Sequence, residues 1–490
     1  MSKSQNRLFI VVLVLFLIFN SISFPTRASS LSQVMDHDSY LPYVTYTPPP
    51  SRKVNIPYFG QDNVTDQHFS EMAIFWFGQI SPSNNYSDVR IGYNDTSLVL
   101  LLSIFDRLLW YDTTPSPSDL TRYDSVTVYL SKSSAIQDAY RFTLQLNNRN
   151  AWESMIDWQL SERGTSSGWT LVSPPNFTAT TGIRWEDYTT GGLNNNKNNR
   201  GWTTTITIPF TSLGLASKPA QGAEWKMAIA LHDRDDANGT VILESNWPEN
   251  VQSARPVTWG SLHFGLPSYT PPSLNPVGTV TIRNKLNNAV VPDAAVGGTT
   301  GNLCPGDPYY VWNDWANESF GFSGDFNIQN QSDLADWPCF SKYYVTFPLG
   351  SLPANKAILN ATLTLYQWGN SGTLDLAQPS YIQVFTVNQP WSESTLTWNN
   401  APLAFENVSQ AWVNPTQPCG GSGQLSWPCT PRSWDVTRAV VDAYQSGTAL
   451  NLALYSSDKG YHSGKFFTSS NVADWDALGR PTLVVTWGNP

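Results

Sequence analysis

Cysteine, methionine and histidine are scarce in this chain of 490 residues, at 4, 5 and 5, and their scarcity closes several routes to chemistry. A Ser-His-Asp system has few bases to draw on, and one of the histidines, His37, stands in the N-terminal leader. The cysteines, Cys304, Cys339, Cys419 and Cys429, include no Cys-x-x-Cys pair of the kind that closes a zinc site. Charge is sparse as well: Asp, Glu, Lys and Arg make up 13% of the residues, and a net charge of −10 argues against nucleic acid and anionic membrane as partners. Beyond the N-terminal region no apolar run approaches the roughly 20 residues that cross a bilayer. Apolar stripes at helical period are nearly missing too, which excludes a helical bundle.

What is abundant is aromatic side chains, which at 13% equal the charged ones, an ordinary balance for secreted β-proteins. Lys3 and Arg7 precede the apolar segment Leu8 to Phe19, and Ala28-Ser29-Ser30 supplies the small residues of a cleavage site. This is the layout of a secretory signal, with cleavage expected after Ala28 and a secreted, extracellular product. An even number of cysteines behind such a signal reads as disulfides. Three pairings are open; Gly420-Gly421-Ser422-Gly423 can fold the chain back between Cys419 and Cys429, which leaves Cys304 for Cys339. Asn-x-Ser/Thr sequons at Asn63, Asn94, Asn176, Asn238, Asn317 and Asn360 suit the same compartment.

Two Pro-rich segments, Tyr46 to Pro50 and Tyr269 to Pro276, read as stiff extended linkers. They divide the chain into a signal peptide (1–28), a Pro-rich leader (29–53), a first module (54–265), a linker (266–276) and a second module (277–490). Period-two alternation in Ser125 to Leu130, Arg141 to Leu146 and Thr203 to Ile208 predicts half-buried strands, and the apolar run Leu98 to Leu102 a fully buried one. In the second module Tyr343 to Phe347, Ala361 to Tyr366, Tyr381 to Val387, Leu450 to Tyr455 and Thr482 to Trp487 read as strands. Asp435 is placed to cap one short helix whose Val436, Ala439, Val440, Ala443 and Tyr444 share a face and which ends at Gly447. The fold class is therefore all-β: two tandem antiparallel β-sandwiches, jelly-roll-like, with one short helix in the second.

The run Gln389-Pro390-Trp391-Ser392-Glu393-Ser394-Thr395-Leu396-Thr397-Trp398-Asn399-Asn400-Ala401-Pro402 resembles the signature of the DNRLRE-type secreted β-domain, also classed among carbohydrate-binding modules. Tyr343 to Phe347, Asp435-Val436-Thr437, Phe466 to Ser470 and Arg480 to Trp487 continue the pattern in order. In the first module Asp88 to Thr96, Phe105-Asp106-Arg107, Tyr123 to Val126, Gly201 to Leu215 and Trp225 to Ala230 resemble the family 9-like carbohydrate-binding and DOMON sandwiches. These resemblances imply extracellular, non-catalytic modules, some of which bind sugars at an aromatic clamp and some haem, and they speak to fold more than to ligand. Haem would need an axial Met and His, such as Met72 with His68 or Met227 with His232; Met227 belongs to an alternating strand and reads as core, so no haem is expected.

Sugar recognition stacks a pyranose face on an aromatic ring while amides and carboxylates bond its hydroxyls. Trp110 and Tyr111, leading into a polar loop, and Trp247, between Asn246 and Pro248, are the candidate rings; the competing reading is that they cap the sandwich ends. Asp233, Asp235, Asp236 and Asn238 cluster carboxylate and amide oxygens as a calcium loop does, so a structural Ca2+ is the cofactor this segment suggests. The segment fails as an EF-hand, because Ala237 and Asn238 replace a ligand and the required Gly, and an ordinary Asp-held turn is the alternative. Gly164-Thr165-Ser166-Ser167-Gly168 matches an esterase pattern by letter but lies in a polar loop rather than between strand and helix. In the signature, the two Trp are expected to pack the end of the module and Asn399-Asn400 to satisfy backbone groups of the turn.

The leading expectation is a secreted, non-catalytic protein that binds polysaccharide or another glycan at a cell envelope or in the surrounding matrix. The rivals are a structural or adhesive surface protein without a glycan ligand, an accessory part of a polysaccharide-degrading system, and an enzyme with an unrecognised site.

Overall fold

Short runs of β-branched and aromatic residues, punctuated by Gly, Asn, Asp and Pro, fold as strands at the places where alternation predicts them. Ser97–Phe105, Ser125–Ser131, Ala139–Gln145 and Asn199–Pro209 are strands of the first half, and Ser341–Phe347, Ala357–Asn370, Ser380–Thr386, Leu450–Ser456 and Thr482–Gly488 of the second. The computed structural model describes residues 51–81, 83–116, 118–148, 154–185, 192–242, 244–297, 314–330, 340–420, 425–460 and 462–490. The expected signal peptide and nearly all of the leader, together with Cys304 and Cys339, lie outside the described residues.

In the first half, the strands Ala73–Ser81, Asn84–Tyr93, Ser97–Phe105, Asn199–Pro209 and Thr178–Trp185 form, in that spatial order, a 5-stranded sheet. It faces a sheet containing Gly260–Phe264, Glu224–His232, Ser125–Ser131 and Ala139–Gln145, and Val89, Ile91, Leu100, Phe142, Ile206 and Met227 fill the space between them. Met72 is buried too, so both methionines weighed as haem ligands are packed inside. Gly164 to Gly168 is the turn joining the paired strands Gln159–Thr165 and Gly168–Val172, without the helix that a nucleophile elbow requires.

In the second half Tyr343, Val345, Leu363, Leu452 and Val485 form the core. The helix Thr437–Gln445 packs Ala439 and Val440 into it. The N-cap position is taken by Val436 rather than by Asp435 as expected; Asp435, one residue earlier, still accepts from Thr437 N through Oδ1 at 2.9 Å, and Gly447 at φ 66° closes the C-terminal end. Tyr444 on the same face donates through its hydroxyl to Pro353 O, which pins the helix across the sandwich end. The disulfide Cys419–Cys429 closes the loop that the glycines span.

The two halves do not hang from a linker as separate bodies: Pro50–Pro490 is one compact unit. The strand Lys53–Ile56 runs parallel to Gly260–Phe264 on one side and pairs with Glu406 on the other, so a 14-stranded sheet passes through both sandwiches. Asn55 and Asn407 lock this junction reciprocally, Asn55 N donating to Asn407 Oδ1 and Asn407 Nδ2 to Asn55 O, both at 2.8 Å. The 5-stranded sheet turns its second face to the other sandwich as well: Ile74, Trp76, Tyr86 and Phe105 meet Phe340, Tyr344, Phe385, Trp398 and Tyr455. Strands Ala73–Ser81 and Asn84–Tyr93 are thus buried on both faces, a condition more typical of parallel sheets covered by helices.

Trp76 touches Phe385 and Tyr455 edge-on, at 5.1 and 5.6 Å between ring centroids, and belongs wholly to this seam. Trp76→Ala is expected to cost about 3–5 kcal/mol. By scanning calorimetry the native chain should melt in one transition and the variant in two; an unchanged single transition would refute the coupling.

Candidate functional site

Three aspartates bring their carboxylates together at one end of the first sandwich, two of them directly after a strand and the third, Asp235, in the loop that follows. Asp106 follows Ser97–Phe105, Asp233 follows Glu224–His232, and one oxygen from each of these and from Asp235 lie within 4.8 Å of one another. A fourth carboxylate, Asp124, precedes Ser125–Ser131 and is buried with them. It accepts from Trp110 N at 2.6 Å and from Arg234 N at 3.0 Å. Asp106 Oδ2 and Asp233 Oδ1 are buried without a hydrogen-bond partner among the described residues.

Removal from water, followed by the repulsion of the neighbouring carboxylates, pushes Asp106 and Asp124 well above the usual carboxyl range. The same causes raise Asp233 to about 7, while burial raises Asp235 to about 6 against the pull of Arg107. Half-exposed Asp236 behaves oppositely: hydrogen bonds from Thr240 hold its pKa down, and its Oδ1 accepts from Asn238 N at 2.8 Å and Thr240 N at 3.1 Å. Of the expected set Asp233, Asp235, Asp236 and Asn238, the first two converge, and Asp236 and Asn238 build a surface turn. Asp106, from a strand more than a hundred residues earlier, brings the third converging carboxylate. Its signal was present in Phe105-Asp106-Arg107, which mirrors His232-Asp233-Arg234 as an acid closing a buried strand.

Converging hard oxygens, two of them orphaned, with more negative charge than the nearby Arg107 and Arg234 can neutralise, fit a hard divalent cation such as calcium.

The candidate rings separate on exposure. Trp110 and Tyr111 are half-buried, with Trp110 N held by Asp124 and Tyr111 N by Asn194 Oδ1 at 2.8 Å. Trp247 is corrected: at 1% exposure, with its ring 4.6 Å from that of Phe75, it is part of the core and has no face for a ligand. Its flanking polar residues suggested a loop, yet Ser245–Trp247 is a short strand paired with Glu224–His232, which turns the indole inward.

Among the described residues, the exposed indoles lie in the second half. Trp475 is 66% exposed and meets Trp427 at 5.1 Å and 83°, so the two indoles form a right-angled corner. Trp427 also packs on Gly420 inside the disulfide-closed loop, and Asp474 beside Trp475 is held by Lys285 and Arg480. Trp412, 44% exposed, lies 5.0 Å from Tyr381 and donates its indole N–H to Glu71 Oε1 at 3.2 Å. Sequence reasoning missed this corner: its two indoles are far apart in the sequence, and the aspartates beside Trp475 do not signal its exposure, since Asp476 is itself buried.

Carboxyls whose pKa values are raised on folding hold protons that the unfolded chain has lost, so this end of the molecule loses stability as pH rises from about 4 to about 7. In chelator, the melting temperature of the chain should fall across that window, and Asp233→Asn should flatten the fall. A variant with the native pH profile would refute the assignment.

Residues 300–486, which include the Trp427–Trp475 corner, match the model of carbohydrate-binding module family 96. No curated protein matches the chain. Among solved structures, the chain is similar to a family 9 carbohydrate-binding module from Caldicellulosiruptor kristjanssonii in complex with cellotriose, at 14% identity and a TM-score of 0.31, over 46% of this chain and 100% of that one. It is also similar to a putative carbohydrate-binding protein from Bacteroides uniformis, at 11% identity and a TM-score of 0.33, over 44% of this chain and 99% of that one. TM-scores of this size decide nothing about a ligand. The family match supports carbohydrate binding through the C-terminal sandwich.

Proposed function

We propose that the chain is a secreted, non-catalytic carbohydrate-binding protein that holds a polysaccharide at a cell surface or in the extracellular matrix. The observation that carries this reading is a right-angled pair of indoles, exposed Trp475 against half-buried Trp427, within the stretch that matches a carbohydrate-binding module family. Trp475 offers a flat apolar face on which the C–H side of a pyranose stacks, and Trp427 stands beside it as a wall. The DNRLRE-type signature and the family 9-like, DOMON-type pattern of the first half accord with it. So does the N-terminal secretory layout.

A calcium ion at Asp106, Asp233 and Asp235 belongs to the same reading. The ion would neutralise the cluster, and Asp124 would carry the resulting order to the backbone of Trp110, which it bonds directly. Trp110 and Tyr111 then form a second, weaker ring surface whose position depends on the cation.

Two measurements test this. Pulldown on insoluble polysaccharides and a glycan array should retain the chain, and Trp475→Ala should weaken retention by roughly 2 kcal/mol, about 30-fold. Absence of retention on every glycan would move the reading to a structural surface protein. Calcium at 100 times its Kd should stabilise the chelated chain by about 2.7 kcal/mol. Asp106→Asn should abolish that gain, and a gain that survives it would place the ion elsewhere.

A further inference from the structure

The seam between the sandwiches does more than glue. A cavity of about 330 Å³ opens at the seam, and a second of about 440 Å³, within the second sandwich, adjoins it at Asn400, which lines both; the pair is termed the groove. Their sizes are those of sites for small molecules. The first cavity is walled by Gln79, Glu244 and Asn246 from one sandwich and by Gln389, Asn399 and Asn400 from the other. The second is apolar at its base, with Trp391, Pro390 and Leu396.

The groove is held rigid by residues of the signature motif. Asn399 does not serve its own turn, as its sequence position suggested. It reaches across the seam, where its Oδ1 accepts from Ile80 N at 2.8 Å and its Nδ2 donates to Ile80 O at 2.9 Å. Asn400 fixes the turn instead, accepting from Thr397 N at 2.7 Å and donating to Thr395 O at 2.8 Å. Arg52 grips the carboxylate of Glu249, which also lines the first cavity, and bonds the backbone carbonyls of Leu403 and Ala404 across the seam. The Asn399 and Arg52 bonds and the walls of the first cavity need both sandwiches.

We propose that this groove binds a neutral oligosaccharide spanning the two sandwiches, an inference that rests on the carbohydrate-binding reading and adds to it a second, composite site. Glu244 gives Oε1 to His232 at 2.8 Å and to Arg234 at 3.2 Å, while its Oε2 is uncommitted among the described residues. With the carboxamides of Asn246 and Gln389 it presents paired donors and acceptors matched to vicinal hydroxyls. Trp391, half-buried and set edge-on to Tyr344, supplies the apolar surface for the next ring along. The ligand is neutral because the described residues lining the groove include no Lys, Arg or His to receive a uronate or sulfate, and its carboxylates Glu244 and Glu249 already engage Arg234 and Arg52.

The test uses the full chain with cellohexaose, xylohexaose and mannohexaose as neutral probes and a mannuronate hexamer as the anionic one, by titration calorimetry and hydrogen exchange. At least one neutral hexaose should bind and slow exchange in both 244–249 and 389–400. The surface variant Asn246→Ala/Gln389→Ala should bind it about 10-fold more weakly, and should remove the binding that survives Trp475→Ala. Binding that Trp475→Ala abolishes, with no seam protection and no effect of the seam variant, would sink the groove and leave the carbohydrate reading standing. Seam protection by the mannuronate hexamer alone would overturn the neutral class, and no binding of any probe would overturn both readings.

Discussion

Lys342 sits inside an aromatic box at the junction of the sandwiches, and the architecture of the protein depends on that box. Its Nζ lies 3.6 Å from the ring centre of Trp398, 4.4 Å from Trp76, 4.7 Å from Tyr86 and 4.9 Å from Tyr455. Trp76 and Tyr86 belong to the first half of the chain, while Trp398, Tyr455 and the lysine belong to the second. Burial pushes the lysine well below its ordinary pKa, and the nearby Asp88 opposes the shift. A desolvated cation over a ring face gains about 2 kcal/mol, and here four faces converge. The cost of hiding an ammonium is therefore offset only when both halves are docked in register, which makes the lysine a device for specifying the junction as well as for filling it.

Docking in register changes what multivalency means here. Sites joined by a flexible linker reach one another through an effective concentration set by linker length. In this molecule the continuous sheet and the Asn55–Asn407 lock remove that freedom. Surfaces on the two halves hold a fixed spacing, so a polymer whose repeat matches gains without an ordering penalty and one that does not match gains nothing. The Pro-rich stretch before Pro276 follows the same logic: Tyr269 bonds Ile358 O at 3.0 Å and lies along the second sandwich rather than spanning a gap.

Much of this was legible in the sequence, because alternation reports directly on strands. The helix was legible as well, since Asp435 and Gly447 mark its two ends. The seam was not. Tyr86, Asp88 and Arg90 alternate with Val89 and Ile91, and such a polar face reads as solvent-exposed. It is instead buried against residues hundreds of positions away, with Tyr455 bonding Asp88 across 367 residues and Arg90 Nε bonding Ser457 O across the same separation. Alternation says that two faces differ, and it does not say that the polar one meets water. Trp247 failed for the converse reason: polar neighbours in sequence do not fix where a ring points once the segment pairs as a strand.

Two buried acidic centres in one chain are built in opposite ways. Asp88 is sealed by protein donors: Tyr86 gives its hydroxyl to Oδ1 at 2.7 Å, and Tyr455 and Asn330 reach Oδ2 at 2.8 and 3.1 Å. Its charge faces Lys342 and Arg90 as well. The Asp106 cluster has the same burial and a greater density of charge, yet orphan oxygens remain and the carboxyls hold their protons to unusually high pH. Evolution had the means to close such a site, as Asp88 demonstrates within the same fold. What separates the two centres is the satisfaction of their oxygens: those of Asp88 meet protein donors, while Asp106 Oδ2 and Asp233 Oδ1 are buried without a partner among the described residues, the positions where positive charge would be worth most.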